Sequence, residues 1–427
     1  MQIQSSKISD HNQRHKTQHN ADLSYIYDRI EKKGLDPEEI LQKVGDFQVA
    51  IPSWALGTGG TRFGRFPSGG EPRNLEEKIE DVGLLHALNR SSGAISLHIP
   101  WDIPKDYIAV SNLAKSLGLK FDAVNSNTFQ DQLNQGLSYK FGSLCHTDAS
   151  IRKQAVDHNK EVIDHGIKIG SKSITVWLSD GSNFPGQQNF RKALSHTLDS
   201  LREIYDHLPD DWQMFVEYKP FEPNFYSTVI PDWGTSFLLS SKLGLKAYSL
   251  VDLGHHLPNT NIEQIVATLM GEHKLGGFHF NDSKFADDDL TVGAIKPYQL
   301  FLIFNELIYG MEGENEGDPP IAWMIDASHN VKDPLEDLLQ SVEAIKLSYA
   351  QALLVDRDKL EETRENNDVV AAQEILQDAY RTDVRALLAE ARIRNAAAYN
   401  PVGLFRTLKL RELLMKERGS KTIATGL

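Results

Sequence analysis

The chain has 427 residues, of which 40% are hydrophobic, and its formal net charge is −14 at pH 7. This length exceeds one average domain and fits a large barrel with extensions. Nucleic acids and anionic membranes both bind basic surfaces, so the acidic balance argues against either as a partner. Cys145 is the only cysteine, which excludes a disulfide framework and a cysteine-based zinc site.

Residues 1–20 are polar and lack the apolar core of a signal peptide. No run in the chain approaches the roughly 18 apolar residues that span a bilayer, so we expect a cytoplasmic protein. Residues 1–45 are predicted to form a polar leader followed by short helices, of which the second begins at Asp36. The first helix is predicted from the helical spacing of Leu23, Tyr27 and Ile30.

A regular alternation of strands and amphipathic helices begins near residue 46. Apolar runs predict strands at 48–52, 94–99, 120–125 and 173–178. Later strands are predicted to end at or near Lys219, Asp252, His279 and Asp326. Eight strand–helix units in about 290 residues predict an α/β fold, a closed (β/α)8 barrel of the TIM type, over residues 46–330.

An open doubly wound sheet is the structural alternative. Its first strand normally leads into a glycine-rich turn that binds phosphate. The loop at 57–70 is rich in glycine, but it lacks both the G-x-G-x-x-G spacing and a terminal Gly-Lys-Ser/Thr. We therefore interpret this loop as a lid or a subunit contact, and the closed barrel remains the prediction.

Residues 331–427 are predicted to form a helical extension that serves oligomerisation. Asp333 begins a long helical segment, and a charged stretch at 356–368 is expected to interrupt the helical pattern. The basic tail at 404–418 is predicted to be helical. We expect it to pack on the barrel or on a neighbouring subunit rather than on a membrane surface.

Successive predicted strands end on residues that bind metals. A single Glu217/Lys219 pair at a strand end would be read as a salt bridge. The next three strands, however, also close on Asp, His and Asp, and the carboxyl ends of barrel strands converge on one site. Three carboxylates and one imidazole favour Mn²⁺, Mg²⁺ or Co²⁺, with Zn²⁺ as an alternative. The predicted ligands are Glu217, Asp252, His279 and Asp326.

A second set of ligand types lies close to the first in the sequence. His255 follows Asp252 by three residues, and the acidic triplet 287–289 follows the seventh predicted strand. Alone, such a triplet would be read as a solvated turn, but its position just past the His279 strand favours ligands. If Asp252 bridges two ions, the second metal would be completed by His255, Asp287 and Asp289.

Aromatic and polar residues at other strand ends have the character of a sugar pocket. The C–H faces of a sugar stack on rings, and its hydroxyls need hydrogen-bonding partners. Trp54 ends the first predicted strand, His98 with Trp101-Asp102 follows the second, and Trp177 with Asp180 follows the fourth. We expect these side chains to form the wall of the pocket.

Several motifs resemble those of the bacterial, broad-specificity L-rhamnose isomerases, within the superfamily of xylose-isomerase-like barrels. The resemblance spans about residues 54 to 330 and is weaker for the tail. The motifs that carry it lie at 177–187, 217–223, 279–284, 287–290 and 324–330.

The resemblance implies roles for individual residues. It places a structural metal on Glu217, Asp252, His279 and Asp326, and a catalytic metal on Asp252, His255, Asp287 and Asp289. The positions at which that family contacts its substrate match Trp54, His98, Trp177 and Lys219. It also implies a homotetramer in which an aromatic residue of a neighbouring subunit, here Phe63, closes the pocket.

The expected reaction is the reversible isomerisation of L-rhamnose, and related aldoses, to the ketose. Two divalent cations, Mn²⁺ before Mg²⁺, Co²⁺ or Zn²⁺, would assist a hydride shift on the open-chain sugar. Lys219 would stabilise charge on O1, and His98 would assist ring opening. Proton transfer through an enediol, with Asp326 or a metal-bound water as base, is the mechanistic alternative. The functional alternatives are a ketose 3-epimerase with one metal, and a sugar-binding protein without catalysis.

Overall fold

The computed structural model describes residues 3–58, 66–222, 226–313, 318–327 and 331–421. Phe63 and half of the glycine-rich loop, residues 59–65, lie outside the described residues. The strands, in chain order, are β1 Ala50–Pro52, β2 Ala94–His98, β3 Lys120–Asn125, β4 Ser173–Val176, β5 Gln213–Glu217, β6 Phe221–Glu222, β7 Tyr226–Ser227, β8 Ala247–Asp252, β9 Leu275–Phe280 and β10 Ala322–Ile325.

Eight of these strands close into a parallel barrel in the order β1-β10-β9-β8-β5-β4-β3-β2, which confirms the predicted fold. The remaining two, β6 and β7, form a small antiparallel hairpin beyond the end of β5. The apolar runs form strands because their side chains are buried both inside the barrel and against the outer helices. Gly276 belongs to this packing, since a Cβ there would lie 2.6 Å from Tyr248 Cβ and 2.7 Å from the ring of Phe215.

Helices cover the outside of the barrel. After the N-terminal helices α1 Ser5–Lys32 and α2 Pro37–Asp46 come α3 Leu75–Asn89, α4 Tyr107–Ser116, α5 Ala149–Ile169, α6 Phe190–Tyr205, α7 Trp233–Leu243, α8 Ile262–Gly271, α9 Pro297–Met311 and α10 Pro334–Ala352. Most begin at an Asp or Asn whose side chain accepts a hydrogen bond from a backbone N–H of the first turn, as predicted at Asp36 and Asp333. None of the described helices is both long and apolar enough to cross a membrane.

The polar N-terminal segment is helical, contrary to the prediction of a leader before the first helix. The helix α1 begins at Ser5 and runs for 28 residues. Its buried side chains include His11 and His19 as well as Ile26 and Ile30. His19 and the neighbouring His15 pack against Tyr399, and His11 packs against His15, so residues that count as polar in a hydropathy pattern form part of the helix–core contact.

The C-terminal helices are α11 Arg357–Glu365, α12 Val369–Arg381, α13 Arg385–Arg394, α14 Pro401–Thr407 and α15 Leu410–Arg418. The expected interruption at 356–368 was wrong, because Asp356 caps α11 within it. The basic tail forms two helices that break at Lys409, whose φ is 51°. The helix α10 packs on α9 and α3 and takes the place of the eighth barrel helix, whereas the division of the chain at residue 330 stays a prediction.

Candidate metal centre and sugar pocket

The first predicted set of ligands meets at the carboxyl ends of the barrel strands. Glu217 and Asp252 are the last residues of β5 and β8, His279 lies near the end of β9, and Asp326 directly follows β10. One potential ligand atom from each of these residues lies within 4.8 Å of the others. Parallel strands bring their carboxyl ends to one rim, so residues far apart in sequence become neighbours.

The imidazole of His279 lies among the three carboxylates. Its Nδ1 is 3.2 Å from Glu217 Oε1, 3.8 Å from Asp252 Oδ2 and 3.9 Å from Asp326 Oδ2. The indole N–H of Trp54 donates to Asp326 Oδ1 at 2.8 Å. This bond orients the carboxylate and joins the ends of β1 and β10 across the barrel rim.

The second set shares Asp252 with the first. Potential ligand atoms of Asp252, His255 and Asp287 also lie within 4.8 Å of one another. His255 Nδ1 lies 3.0 Å from the carbonyl oxygen of Tyr218, which can only accept a hydrogen bond. This contact places the proton on Nδ1 and turns Nε2 towards Asp287 Oδ1, 3.4 Å away.

Asp289 lies in the wall of the same cavity but is not part of the close group of three residues. Its backbone φ is 50°, in the left-handed region that a residue other than glycine seldom adopts. Burial raises the pKa of its carboxyl well above the usual range, and the neighbouring Asp287 raises it further. The sequence located Asp289 near the site, and the structure places it in the same cavity wall as Asp287, outside the close group.

The electrostatics of the cluster show an excess of buried negative charge. Burial raises the pKa of Asp252 to about 7, and the nearby Asp326 and Glu217 carboxylates act in the same direction against His255. Burial opposes ionisation of Glu217 as well, but His279 and His255 outweigh it and lower the pKa of Glu217 to about 2. Among the described residues, no group donates a hydrogen bond to the buried Oδ2 of Asp252. Carboxylates and imidazoles held in this way fit a hard or borderline divalent cation.

Lys219 supplies the positive charge nearest to the second set. Its Nζ is 2.7 Å from Asp287 Oδ2 and 3.3 Å from Glu222 Oε1, and it lies 5.2 Å from the centre of the Trp177 ring. The strand β5 ends two residues earlier than predicted, at Glu217, so Lys219 stands in the segment that leads to the hairpin. The ammonium group is buried and held between two carboxylates and an aromatic face.

Aromatic rings form the opposite wall of a cavity of about 310 Å³. His98 is the last residue of β2, and its ring lies 4.3 Å from that of Trp101, 5.4 Å from that of Trp54 and 5.6 Å from that of Phe129. Phe129 in turn lies 4.9 Å from Trp177. Burial lowers the pKa of His98 to about 3, so its imidazole is neutral at physiological pH.

Two of the acidic residues expected in the pocket wall have other partners. Asp102 accepts hydrogen bonds from Lys78 Nζ at 2.7 Å and from the backbone N–H of His98 at 2.9 Å. Asp180 accepts from the backbone N–H groups of Ser143 and Cys145. Both carboxylates therefore hold the chain behind the cavity and do not line it.

Three residues of the site were missed in the sequence. Phe129 completes the aromatic wall, Glu222 holds Lys219, and the side-chain amide of Asn281 donates to Asp252 Oδ1 at 2.9 Å. Asn281 could have been found, because it stands two residues after His279 at the same strand end and so faces the same side. The sequence contains no such signal for Phe129, which lies on an irregular loop.

No protein-family model matches the chain. It is 52% identical over 397 residues to a probable sugar isomerase of Rhizobium meliloti (strain 1021), with 93% of this chain and 92% of that protein covered. A probable sugar isomerase of Mesorhizobium japonicum is 49% identical over 424 residues, with 99% and 98% covered. The chain belongs to this family of probable sugar isomerases.

More distant similarity extends to a xylose isomerase and, at the level of the fold, to two sugar epimerases. The xylose isomerase of Thermus thermophilus is 25% identical over 264 residues, which cover 56% of this chain and 64% of that enzyme. An L-ribulose 3-epimerase structure superposes with a TM-score of 0.54 at 13% identity, covering 76% of this chain and 98% of that one. A D-allulose 3-epimerase from Methylomonas gives 0.52 at 13% identity, with 71% and 97% covered. At this identity the two epimerases share the fold with the probable sugar isomerases and carry no argument about the reaction.

Proposed function

We propose that this protein interconverts an aldose and a ketose, with L-rhamnose and L-rhamnulose as the preferred pair and related aldoses as further substrates. The observation that carries the proposal is that two groups of metal-ligand side chains share Asp252 beneath a cavity with an aromatic wall. The names of the relatives from Rhizobium meliloti and Mesorhizobium japonicum support a sugar isomerase. The choice of L-rhamnose rests on the sequence motifs alone.

Two divalent cations, with Mn²⁺ preferred, would occupy the site. The proposed ligands of the first are Glu217, Asp252, His279 and Asp326, and those of the second are Asp252, His255, Asp287 and Asp289. When bound, such cations polarise the oxygens of a sugar and stabilise negative charge on them. The donor set agrees with this role because buried carboxylates outnumber the cationic groups around them.

The side chains of the cavity would orient the open-chain sugar. Trp54, Trp177 and Phe129 offer faces and edges for its C–H groups. His98, whose ring is neutral, would exchange hydrogen bonds with the ring oxygen and the anomeric hydroxyl as the sugar opens. The hydrogen at C2 would then move to C1 with its electron pair while the proton of the C2 hydroxyl passes to O1, so that the C2–H and O2–H bonds break as the C1–H and O1–H bonds form.

Lys219 is proposed to stabilise negative charge at O1 during this transfer. Its ammonium group already stands within the cavity, 2.7 Å from an Asp287 oxygen, so it needs no large rearrangement to reach a substrate oxygen nearby. In the enediol alternative, Asp326 would accept a proton from C2 while the indole of Trp54 holds its other oxygen.

We further propose a cytoplasmic homotetramer in which Phe63 of a neighbouring subunit closes the pocket. Phe63 lies outside the described residues, so the support comes from residues elsewhere in the chain. Large apolar side chains are exposed on loops that follow barrel strands, around the mouth of the site: Phe66, Phe141, Phe184 and Phe285. A surface of this kind is typical of one that another protein covers. Light scattering of the purified protein should give four times the mass of one chain.

The first test is ketose formation from L-rhamnose by protein stripped with a chelator, assayed without metal and with Mn²⁺, Mg²⁺, Co²⁺ or Zn²⁺. We expect no ketose without metal and recovery with Mn²⁺. With L-rhamnose deuterated at C2, a hydride shift retains the label at C1 of the product, whereas an enediol loses it to water. The expected result is retention.

The matched variants are Asp287→Asn and Asp318→Asn. Asp287 belongs to the second set, whereas Asp318 pairs with His273 at the surface, so only the first change should abolish turnover. Equal activity of both variants would contradict the role of the second set. If the metal-loaded protein leaves L-rhamnose unchanged but epimerises ketoses at C3, a 3-epimerase replaces the proposal. If a sugar binds without reacting, the protein is a binding protein.

A further inference from the structure

The C-terminal helix α15 contacts two loops at the rim of the barrel. Arg411 uses two nitrogens for Asp333, with Nε 2.6 Å from Oδ2 and Nη2 2.9 Å from Oδ1. Its third nitrogen, Nη1, donates to the carbonyl oxygen of Gly69 at 3.2 Å. Asp333 belongs to the segment after β10, and Gly69 to the segment after β1. One guanidinium group therefore joins the two segments that leave neighbouring barrel strands.

The end of α15 strengthens the contact with the segment after β1. The backbone N–H of Gly70 donates to the carbonyl oxygen of Gly419 at 2.8 Å, and Arg418 Nη1 donates to Asp81 Oδ2 at 2.8 Å. Gly70 has φ 69°, and a Cβ there would lie 2.7 Å from the backbone nitrogen of Met415. Glycine is required at this position, because any side chain would push the helix away from the loop.

Both anchored segments lead directly to the site. Glu71 is buried and accepts hydrogen bonds from the backbone N–H groups of Ser68 and Thr58, which ties the anchored loop to the stretch just after Trp54. At the other end, the chain passes from Asp326, at the end of β10, to Asp333. Trp54 and Asp326 are themselves hydrogen-bonded to each other. The two partners of this bond thus lie on chain segments that meet at the same arginine.

We propose that Arg411 is a positioning residue that sets the geometry of the Trp54–Asp326 pair, and that α15 serves the catalytic site of its own subunit. The part of this role that concerns sugar binding rests on the proposed function. The contacts of Arg411 suit the role, because a planar guanidinium that binds a carboxylate through two nitrogens is fixed in orientation as well as in distance. The side chains of Arg411 and Asp333 are also mostly shielded from water, with 15% and 18% exposed.

The chain offers a matched control in Arg406. This arginine lies on α14 and binds Glu336 of α10 through two nitrogens, with Nε 2.9 Å from each carboxylate oxygen. It has the same chemistry and lies in the same extension, but it is 66% exposed and holds only the first turn of α10, with no described contact to the segment after β1. Arg406→Ala therefore removes an ion pair to α10 while the bridge between the two segments stays in place.

The experiment compares Arg411→Ala, Arg411→Lys and Arg406→Ala in the full-length protein. Hydrogen–deuterium exchange is measured over residues 50–58 and 66–72 and over the segment that begins at residue 331. Mn²⁺ affinity is measured by calorimetry, and KM and kcat with L-rhamnose. For Arg411→Ala we expect exchange in these segments to rise by about tenfold or more, with weaker Mn²⁺ binding and a larger change in KM than in kcat. Arg411→Lys keeps the positive charge but loses the planar guanidinium that binds Asp333 through two nitrogens. Its exchange rates and Mn²⁺ affinity should therefore lie between those of the wild type and those of Arg411→Ala.

Exchange and Mn²⁺ binding do not depend on turnover. A wild type that leaves L-rhamnose unchanged would therefore overturn the proposed function while these two measurements still test Arg411. The proposal is overturned if Arg411→Ala matches Arg406→Ala in exchange and Mn²⁺ affinity, or if it lowers the melting temperature and changes nothing else. If Arg411→Ala does not fold, Arg411→Lys decides by the same criteria.

Discussion

The buried charges at the barrel rim differ from those buried between the barrel and its helices. Behind the cavity, Lys78 and Asp102 are almost fully buried and form a 2.7 Å ion pair. At the rim, by contrast, the carboxylates of six residues face the ammonium of Lys219 and two imidazoles. These six are Glu217, Glu222, Asp252, Asp287, Asp289 and Asp326.

The difference distinguishes charges that are buried as a balanced pair within the fold from charges that are buried in excess at a functional site. A buried charge is tolerated when an opposite charge and hydrogen bonds compensate for the lost hydration, as for Lys78 and Asp102. An excess of buried anions raises the pKa of some of them, as burial and neighbouring carboxylates do for Asp252. Such an excess is explained when a cation from solution completes the site.

The largest expected effect comes from Asp252→Asn, which removes the carboxylate common to both ligand sets. We expect activity to fall by about a thousandfold, the scale found for the loss of a catalytic electrostatic group. Without metal the variant should melt no lower than the wild type, because it relieves repulsion among buried anions. Activity within about tenfold of the wild type would contradict the sharing of Asp252.

Lys78→Met should have a large effect on stability. It leaves the Asp102 carboxylate buried without its cation, and breaking a buried pair in this way typically costs about 3–5 kcal/mol of unfolding free energy. Urea denaturation measures the loss. The control is Lys153→Met at an exposed pair with Asp157, where about 0–1 kcal/mol is expected. A similarly small loss of unfolding free energy in both variants would contradict the view that the buried Lys78–Asp102 pair stabilises the fold.

Lys346 tests the case of a buried cation held mainly by neutral groups. Its Nζ is 2.7 Å from Ser91 Oγ, and burial lowers its pKa from 10.5 to about 7. At a pH between these two pKa values, Lys346 is protonated in the unfolded chain and neutral in the native protein. Its contribution therefore makes the unfolding free energy rise with pH. The slope contributed is at most about 1.4 kcal/mol per pH unit, and it vanishes below the native pKa.

Lys346→Met should remove that contribution. Unfolding free energies measured at pH 7.5 and pH 9 should therefore differ by about 2 kcal/mol less in the variant than in the wild type. Lys172→Met, at an exposed pair with Asp211, should leave the difference as it is in the wild type. An unchanged pH dependence in Lys346→Met would show that the native lysine keeps its proton.

Hydropathy located the barrel strands well because each is a short apolar run that ends in polar residues. The predicted strand at 94–99 is β2, Ala94–His98, and the seventh and eighth strands end within a residue of the predicted positions. The same method missed the first half of α1. The residues that face the protein there include His11 and His19, which a hydropathy pattern counts as solvent-facing.

Local sequence determined the (β/α)8 fold and the identity of the polar residues at the strand ends, because strand period and chain direction send those residues to one rim. Tertiary structure alone decided which of them meet. It placed Asp252 between two groups, paired Asp102 with Lys78 behind the cavity and brought Phe129 into the wall. It also placed Arg411 between segments that lie far from it in sequence. Such contacts depend on how whole elements pack, and no local pattern records them.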